Sequence, residues 1–168
     1  MIFDAAANPS NFVLTYVTPF ASPLVALAVG VVAYQQWKTA RDKLRLDLYD
    51  RRFAIFKTAL DFYMKVVLGD WKNDPETEAS SQRFTVALQE SQFLFDEKSG
   101  IYAFLREFSD KAFHIIQMKK GNLSSDKIGP ELYMREFDKF SNGLAWINEN
   151  LPLLTNKMAP YLNFHRAN

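Results

Sequence analysis

The sequence predicts an all-α chain in which a single N-terminal transmembrane helix continues into an antiparallel, four-helix-type cytoplasmic bundle. Three observations carry this. No charged residue lies between Asp4 and Lys38, so all 20 Lys and Arg fall in the later part of the 168-residue chain. Apolar residues beyond that point recur at steps of three and four, the helical period. The turn-forming residues that separate these periodic runs are few, and no strand-like alternation appears between them.

The uncharged run Phe12–Tyr34 holds 23 residues. At about 1.5 Å per residue it matches a hydrocarbon core of about 30 Å. Tyr16 near one end and Tyr34 with Trp37 at the other suit the two interfaces, where an amphipathic ring is favoured. Pro19 and Pro23 bend such a helix without abolishing it, because hydroxyls or neighbouring helices satisfy the freed carbonyls. A cleaved signal peptide is the competing reading, with Val31-Val32-Ala33 as the cleavage site. It lacks the basic start that such a peptide carries and has Asp4 instead. The chain thus divides into a short extracytoplasmic N-terminus (residues 1–11), a transmembrane helix (12–37) and a cytoplasmic bundle (38–168). The excess of Lys and Arg after residue 37 places the N-terminus outside and the bundle inside.

Within the apolar run, Thr15, Thr18, Ser22, Ala26 and Gly30 form a stripe of small or hydroxylated residues. Such stripes let helix backbones approach closely in a bilayer, although these residues are common in any membrane helix. Directly after the run, Lys38, Arg41, Lys43, Arg45 and Arg52 make a basic collar at the membrane surface. Its first role is the topology signal, and basic residues so placed also attract anionic headgroups. Asp42, Asp47 and Asp50 are interleaved, with Asp47 and Arg51 spaced as an i,i+4 pair, so the stretch reads as a charged collar more than a polybasic trap.

Neither Pro nor Gly interrupts the chain between Gly30 and Gly69, which predicts one helix to about Leu68. Along it Leu46, Tyr49, Phe53, Phe56, Leu60, Tyr63 and Val67 form a heptad-like seam. A second row, Leu48, Ile55, Ala59, Phe62 and Val66, widens the apolar face and places the helix in a multi-helix bundle. Gly69 to Asn73 turns the chain, and Asp74-Pro75 supplies the N-cap and first residue of a second helix to about Phe93, burying Phe84 and Leu88. Ser99 caps a third helix carrying Ile101, Leu105, Phe108, Ala112 and Ile115, closed by Gly121. After a polar, turn-rich loop a fourth helix begins near Pro130, with Tyr133, Phe137, Phe140, Leu144, Ile147 and Leu151. Pro152 kinks it or starts a last short helix with Leu154 and Met158.

No catalytic, cofactor-binding or metal motif is present. His114 and His165 are the only histidines. Asp110 stands four residues before His114, which falls short of a metal site and leaves His114 a surface or capping residue. Phosphate-binding glycine loops and nucleophile elbows are missing. Residues 38–168 carry 20 basic and 18 acidic groups, a balance without the basic footprint of a nucleic-acid-binding protein. No small-molecule substrate suggests itself.

The stretch Lys43-Leu-Arg-Leu-Asp-Leu-Tyr-Asp-Arg-Arg-Phe53 behind a membrane helix, Phe93-Leu-Phe95 before Ile101-Tyr102, and the closing Pro160-Tyr-Leu162 resemble a group of small, uncharacterised bacterial inner-membrane proteins. The resemblance implies a cytoplasmic-membrane anchor with a helical cytoplasmic domain, and supplies no catalytic residues. The expectation is a non-enzymatic accessory subunit or scaffold whose partners are the bilayer and another membrane protein or a second copy. The alternative is a membrane-linked sensor or effector of a stress or defence response, signalling through its continuous helix.

Overall fold

The computed structural model describes residues 18–162, with side chains at residue 23 and from residue 25 onward. The described chain is all helix: α1 (Thr18–Leu68), α2 (Pro75–Leu94), a 3-10 turn (Glu97–Ser99), α3 (Ile101–Lys119), a single-turn α4 (Ser125–Ile128) and α5 (Pro130–Leu162). By packing it forms two units, Met1–Leu46 and Asp47–Asn168. In the first unit, every described side chain from Val25 to Leu46 is exposed.

The second unit has a core of side chains from α1, α2, α3 and α5. At its centre Phe62 of α1 stacks on Phe84 of α2, with ring centroids 4.3 Å apart and planes 12° from parallel. Phe108 of α3 closes on both, 5.4 Å from Phe62 and 5.3 Å from Phe84. Trp71 meets the edge of Phe62 at 88°. Each such ring pair adds about 0.5–1.5 kcal/mol beyond the area it buries.

The buried row of α1 is Ile55, Ala59, Phe62 and Val66. Within this chain none of the seam residues Leu46, Tyr49, Phe53, Phe56, Leu60, Tyr63 and Val67 is buried, and Leu46 and Phe53 are exposed. Phe56 and Tyr63 flank the core instead. Two adjacent rows of one helix carry the same period, and Ala59 lets the second row lie closest to the other helices. On α3 the predicted row Ile101, Leu105, Phe108, Ala112 and Ile115 is fully buried. On α5 the buried positions are Gly143, Ile147, Leu154 and Met158, whereas Phe137 is exposed. Gly143 sits where a Cβ would come within 3.4 Å of both the Ile115 side chain and the Lys111 carbonyl, so α3 and α5 approach closely there.

Local chemistry sets the helix ends. The last turn of α1 leaves carbonyls without helical partners. Lys65 O accepts from Gly69 N (2.8 Å) and from Trp71 Nε1 (2.9 Å), and Lys119 Nζ donates to Val67 O at 2.6 Å. Burial pushes the Lys119 ammonium below the usual lysine pKa. Gly69 is required by space: a Cβ would collide with the Lys65 carbonyl and crowd the Thr77 methyl. Asp74 caps α2 by accepting from Glu76 N at 2.9 Å, with Pro75 at the first helical position. Gly100, at φ +62°, takes the left-handed conformation before α3, and the Ser99 hydroxyl accepts from Ile101 N at 3.2 Å. One detail differs from the expectation: the loop before α5 contains the turn α4. Of the two readings of Pro152, the start of a new helix is excluded, since α5 runs through it.

Truncating Phe62 or Phe84 to Ala should cost about 3–5 kcal/mol of stability by chemical denaturation. Phe93→Ala, at a residue 85% exposed, should stay within about 0.5 kcal/mol of wild type. Equal effects at the buried and exposed positions would contradict this core.

Candidate interaction surfaces

Uncovered apolar side chains dominate the first unit. Val25, Leu27, Val29, Val31, Val32 and Tyr34 are all exposed, and Trp37 is 57% exposed. Of the small-residue stripe, Ala26 and Gly30 are exposed, and a Cβ on Gly30 would meet nothing within 4 Å. Thr15 lies outside the described residues; Thr18 and Ser22 fall within α1, their side chains outside the description. Among the described residues no helix is long and apolar enough to cross a membrane.

The basic collar follows on the same helix. The Tyr34 and Trp37 rings lie 6.0 Å apart, and the Arg41 guanidinium sits 5.5 Å from the Trp37 ring centroid. Lys38, Lys43 and Arg45 are exposed, and among the described residues none of these four cations forms an ion pair. Asp42, Asp47 and Asp50 form none either. The expected Asp47–Arg51 pair is therefore not made, since two exposed flexible side chains gain little by being fixed together.

Arg52 belongs elsewhere, which corrects its place in the collar. Its Nε donates to Leu94 O at 3.1 Å, at the open end of α2. Its guanidinium lies 5.8 Å from the Phe95 ring and 5.1 Å from the Tyr161 ring, which themselves meet edge to face at 5.3 Å. Burial, then the neighbouring Asp96, pushes the Tyr161 hydroxyl above its usual pKa. This cluster joins three distant stretches of sequence. Spacing along the chain gave no sign of it, because its members are 43 and 66 residues apart (Arg52, Phe95, Tyr161).

A second polar junction ties α3 to α5. His114 Nδ1 lies 3.1 Å from Glu136 Oε2, and Lys139 Nζ donates to Glu136 Oε1 at 2.7 Å. The Lys139 hydrogen bond foremost, with a smaller contribution from His114, holds the Glu136 carboxyl below its ordinary pKa. The sequence reads His114 as a surface or capping residue; in the structure it is half-buried and its partner, Glu136, comes from another helix. Between α1 and α2 runs a shallow groove of about 280 Å³ lined by Ala54, Thr58, Val86 and Glu90 among others. Among the described residues no group of three or more His, Cys, Asp or Glu is placed to hold a metal ion. No family model matches this chain, and no curated protein or solved structure is found to be similar to it.

Two measurements follow from these junctions. Arg52→Gln should lower bundle stability by about 1–3 kcal/mol, through the lost charged hydrogen bond and ring contacts, with Arg52→Lys recovering only part. Glu136 has a lower pKa folded than unfolded, so the folded chain binds fewer protons there. Its contribution is present above the unfolded carboxyl range and is lost as pH falls through the folded value. The acid arm of a Tm-against-pH curve should accordingly flatten in Glu136→Gln, and an unchanged arm would rule that contribution out.

Proposed function

We propose that this protein is a non-enzymatic membrane anchor whose helical bundle serves as accessory subunit or scaffold of a membrane-associated complex. The observation that carries the reading is the apolar stretch of α1 between Val25 and Trp37, whose side chains are all exposed. Burying a Val or Leu side chain is worth about 1.5–3 kcal/mol, so such a face favours an apolar environment outside the chain. The described apolar stretch is short of a span by itself. The uncharged run begins at Ala5, however, and residues 12–24 supply the remaining length. In this reading residues 12–37 form a single transmembrane helix, the N-terminus lies outside, and the bundle lies in the bacterial cytoplasm.

The scaffold role is favoured by what the bundle offers. Its helices carry exposed Phe53, Phe93, Phe113 and Phe137, apolar positions that a partner surface would cover. The occupant is another membrane protein or a second copy. Native membranes should retain the protein through alkaline carbonate extraction, and a tagged full-length form should bring down a partner at fixed stoichiometry or run as an oligomer in mild detergent. Release by carbonate would refute the anchor; retention as a partnerless monomer would refute the scaffold.

The continuity of α1 from Thr18 to Leu68 supports the alternative of a sensor or effector that signals along this helix. Inserting three residues between Gln36 and Arg41 turns the flanking helix faces by about 300° at 3.6 residues per turn. Signalling along the helix should then fail, whereas tethering should survive.

A further inference from the structure

We propose that the partner of the collar Lys38, Arg41, Lys43 and Arg45 is the surface of an anionic phospholipid bilayer, bound through its headgroup phosphates. The proposal rests on the membrane reading above and names the lipid class. In sequence, Asp42, Asp47 and Asp50 are interleaved with these cations or follow them closely. Asp42, Asp47 and Asp50 make no ion pair, and all four cations are exposed and unpaired among the described residues. From Lys38 to Arg45 the helix carries four cations against Asp42 alone. Cations outside any internal ion pair retain their charge for external anions, Arg41 over the Trp37 ring included, and each such residue near an anionic leaflet adds attraction.

The aromatic pair sets the level at which those charges stand. Tyr34 and Trp37 lie side by side at the end of the apolar stretch, and Arg41 covers the Trp37 ring. An indole favours the boundary between hydrocarbon and headgroups. With Trp37 at that boundary, Lys38 begins one residue beyond it, and Arg45 lies about 12 Å further along the axis than Trp37 at ~1.5 Å per residue. This spans the polar layer that the headgroups occupy. Arg52 takes no part, since its guanidinium is held by Leu94 O and the Phe95 and Tyr161 rings.

The test is native mass spectrometry of the full-length protein in mild detergent, with phosphatidylglycerol or phosphatidylcholine added at equal concentration. Phosphatidylglycerol should be retained roughly tenfold better. The combined variant Lys38→Gln, Arg41→Gln, Lys43→Gln and Arg45→Gln should lose that preference, with the bundle's thermal transition unchanged. Inorganic phosphate at the lipid concentration should not displace the lipid. Equal retention of the two lipids by wild-type protein that resists carbonate extraction would overturn this inference and leave the anchor standing. Displacement by phosphate alone would overturn it in favour of a free-phosphate site. Release of the protein by carbonate would instead remove the anchor, and this inference with it.

Discussion

The stacking of Phe62 on Phe84, closed by Phe108, is the contact on which the bundle depends. It joins α1, α2 and α3 at one point, and it does so through rings long enough to bridge helices whose backbones stay apart. The pairing of α3 with α5 is of another kind, because Gly143 removes a side chain at the crossing and lets Ile115 and the Lys111 carbonyl come close. The α3–α5 pair is therefore a tight unit, and α1 is attached to the rest by large side chains. Arg52 at one level and Trp71 with Lys119 at another hold this attachment by polar bonds to helix-end carbonyls.

The division of α1 follows from that arrangement. Its buried row begins at Ile55, and the helix upstream of Asp47 belongs to a different packing unit. The helical period does not change between the two; what changes is whether other elements of the chain lie against it. An apolar residue at Leu44 and one at Ile55 carry the same hydrophobicity, and only the second meets a neighbouring helix. The described side chains from Val25 to Leu46 are exposed for that reason and not for any change in hydrophobicity.

How much of this was legible in the sequence can be traced residue by residue. The helix ends at Leu68, Pro75, Lys119 and Pro130 follow from local chemistry: a glycine at a crowded turn, an Asp-Pro cap, left-handed Gly121 just beyond the helix, and a proline at a helix start. Such signals act over four or five residues and survive any tertiary context. The third helix was legible because it has one apolar row. On α1 two rows compete, and the choice between Phe53-Phe56-Leu60 and Ile55-Ala59-Phe62 was made by the approach of α2 and α3, which no local pattern encodes. Arg52 was read as part of a surface collar for the same reason. Its neighbours in sequence are charged and exposed, while its neighbours in space are Leu94, Phe95 and Tyr161.

Charge in the collar obeys a related logic. Interleaved acids and bases at helical spacing look mutually neutralising on paper, but an exposed pair gains little Coulomb energy in water and gives up side-chain freedom. The acids near Arg45 thus leave its charge available, whereas Lys119, less exposed and aimed at the end of α1, is committed to Val67 O. Within the bundle, Arg52, Lys65, Arg83, Lys119 and Lys120 bond to its carbonyls and carboxylates. Other cations of the bundle, Lys57, Arg106 and Arg135 among them, are exposed without such bonds among the described residues, so what sets Lys38 to Arg45 apart is their place directly behind Trp37. In the proposed reading, cations beside an exposed apolar face offer phosphates a charged partner and acyl chains an apolar one, and of the two features water leaves only the apolar face unsatisfied.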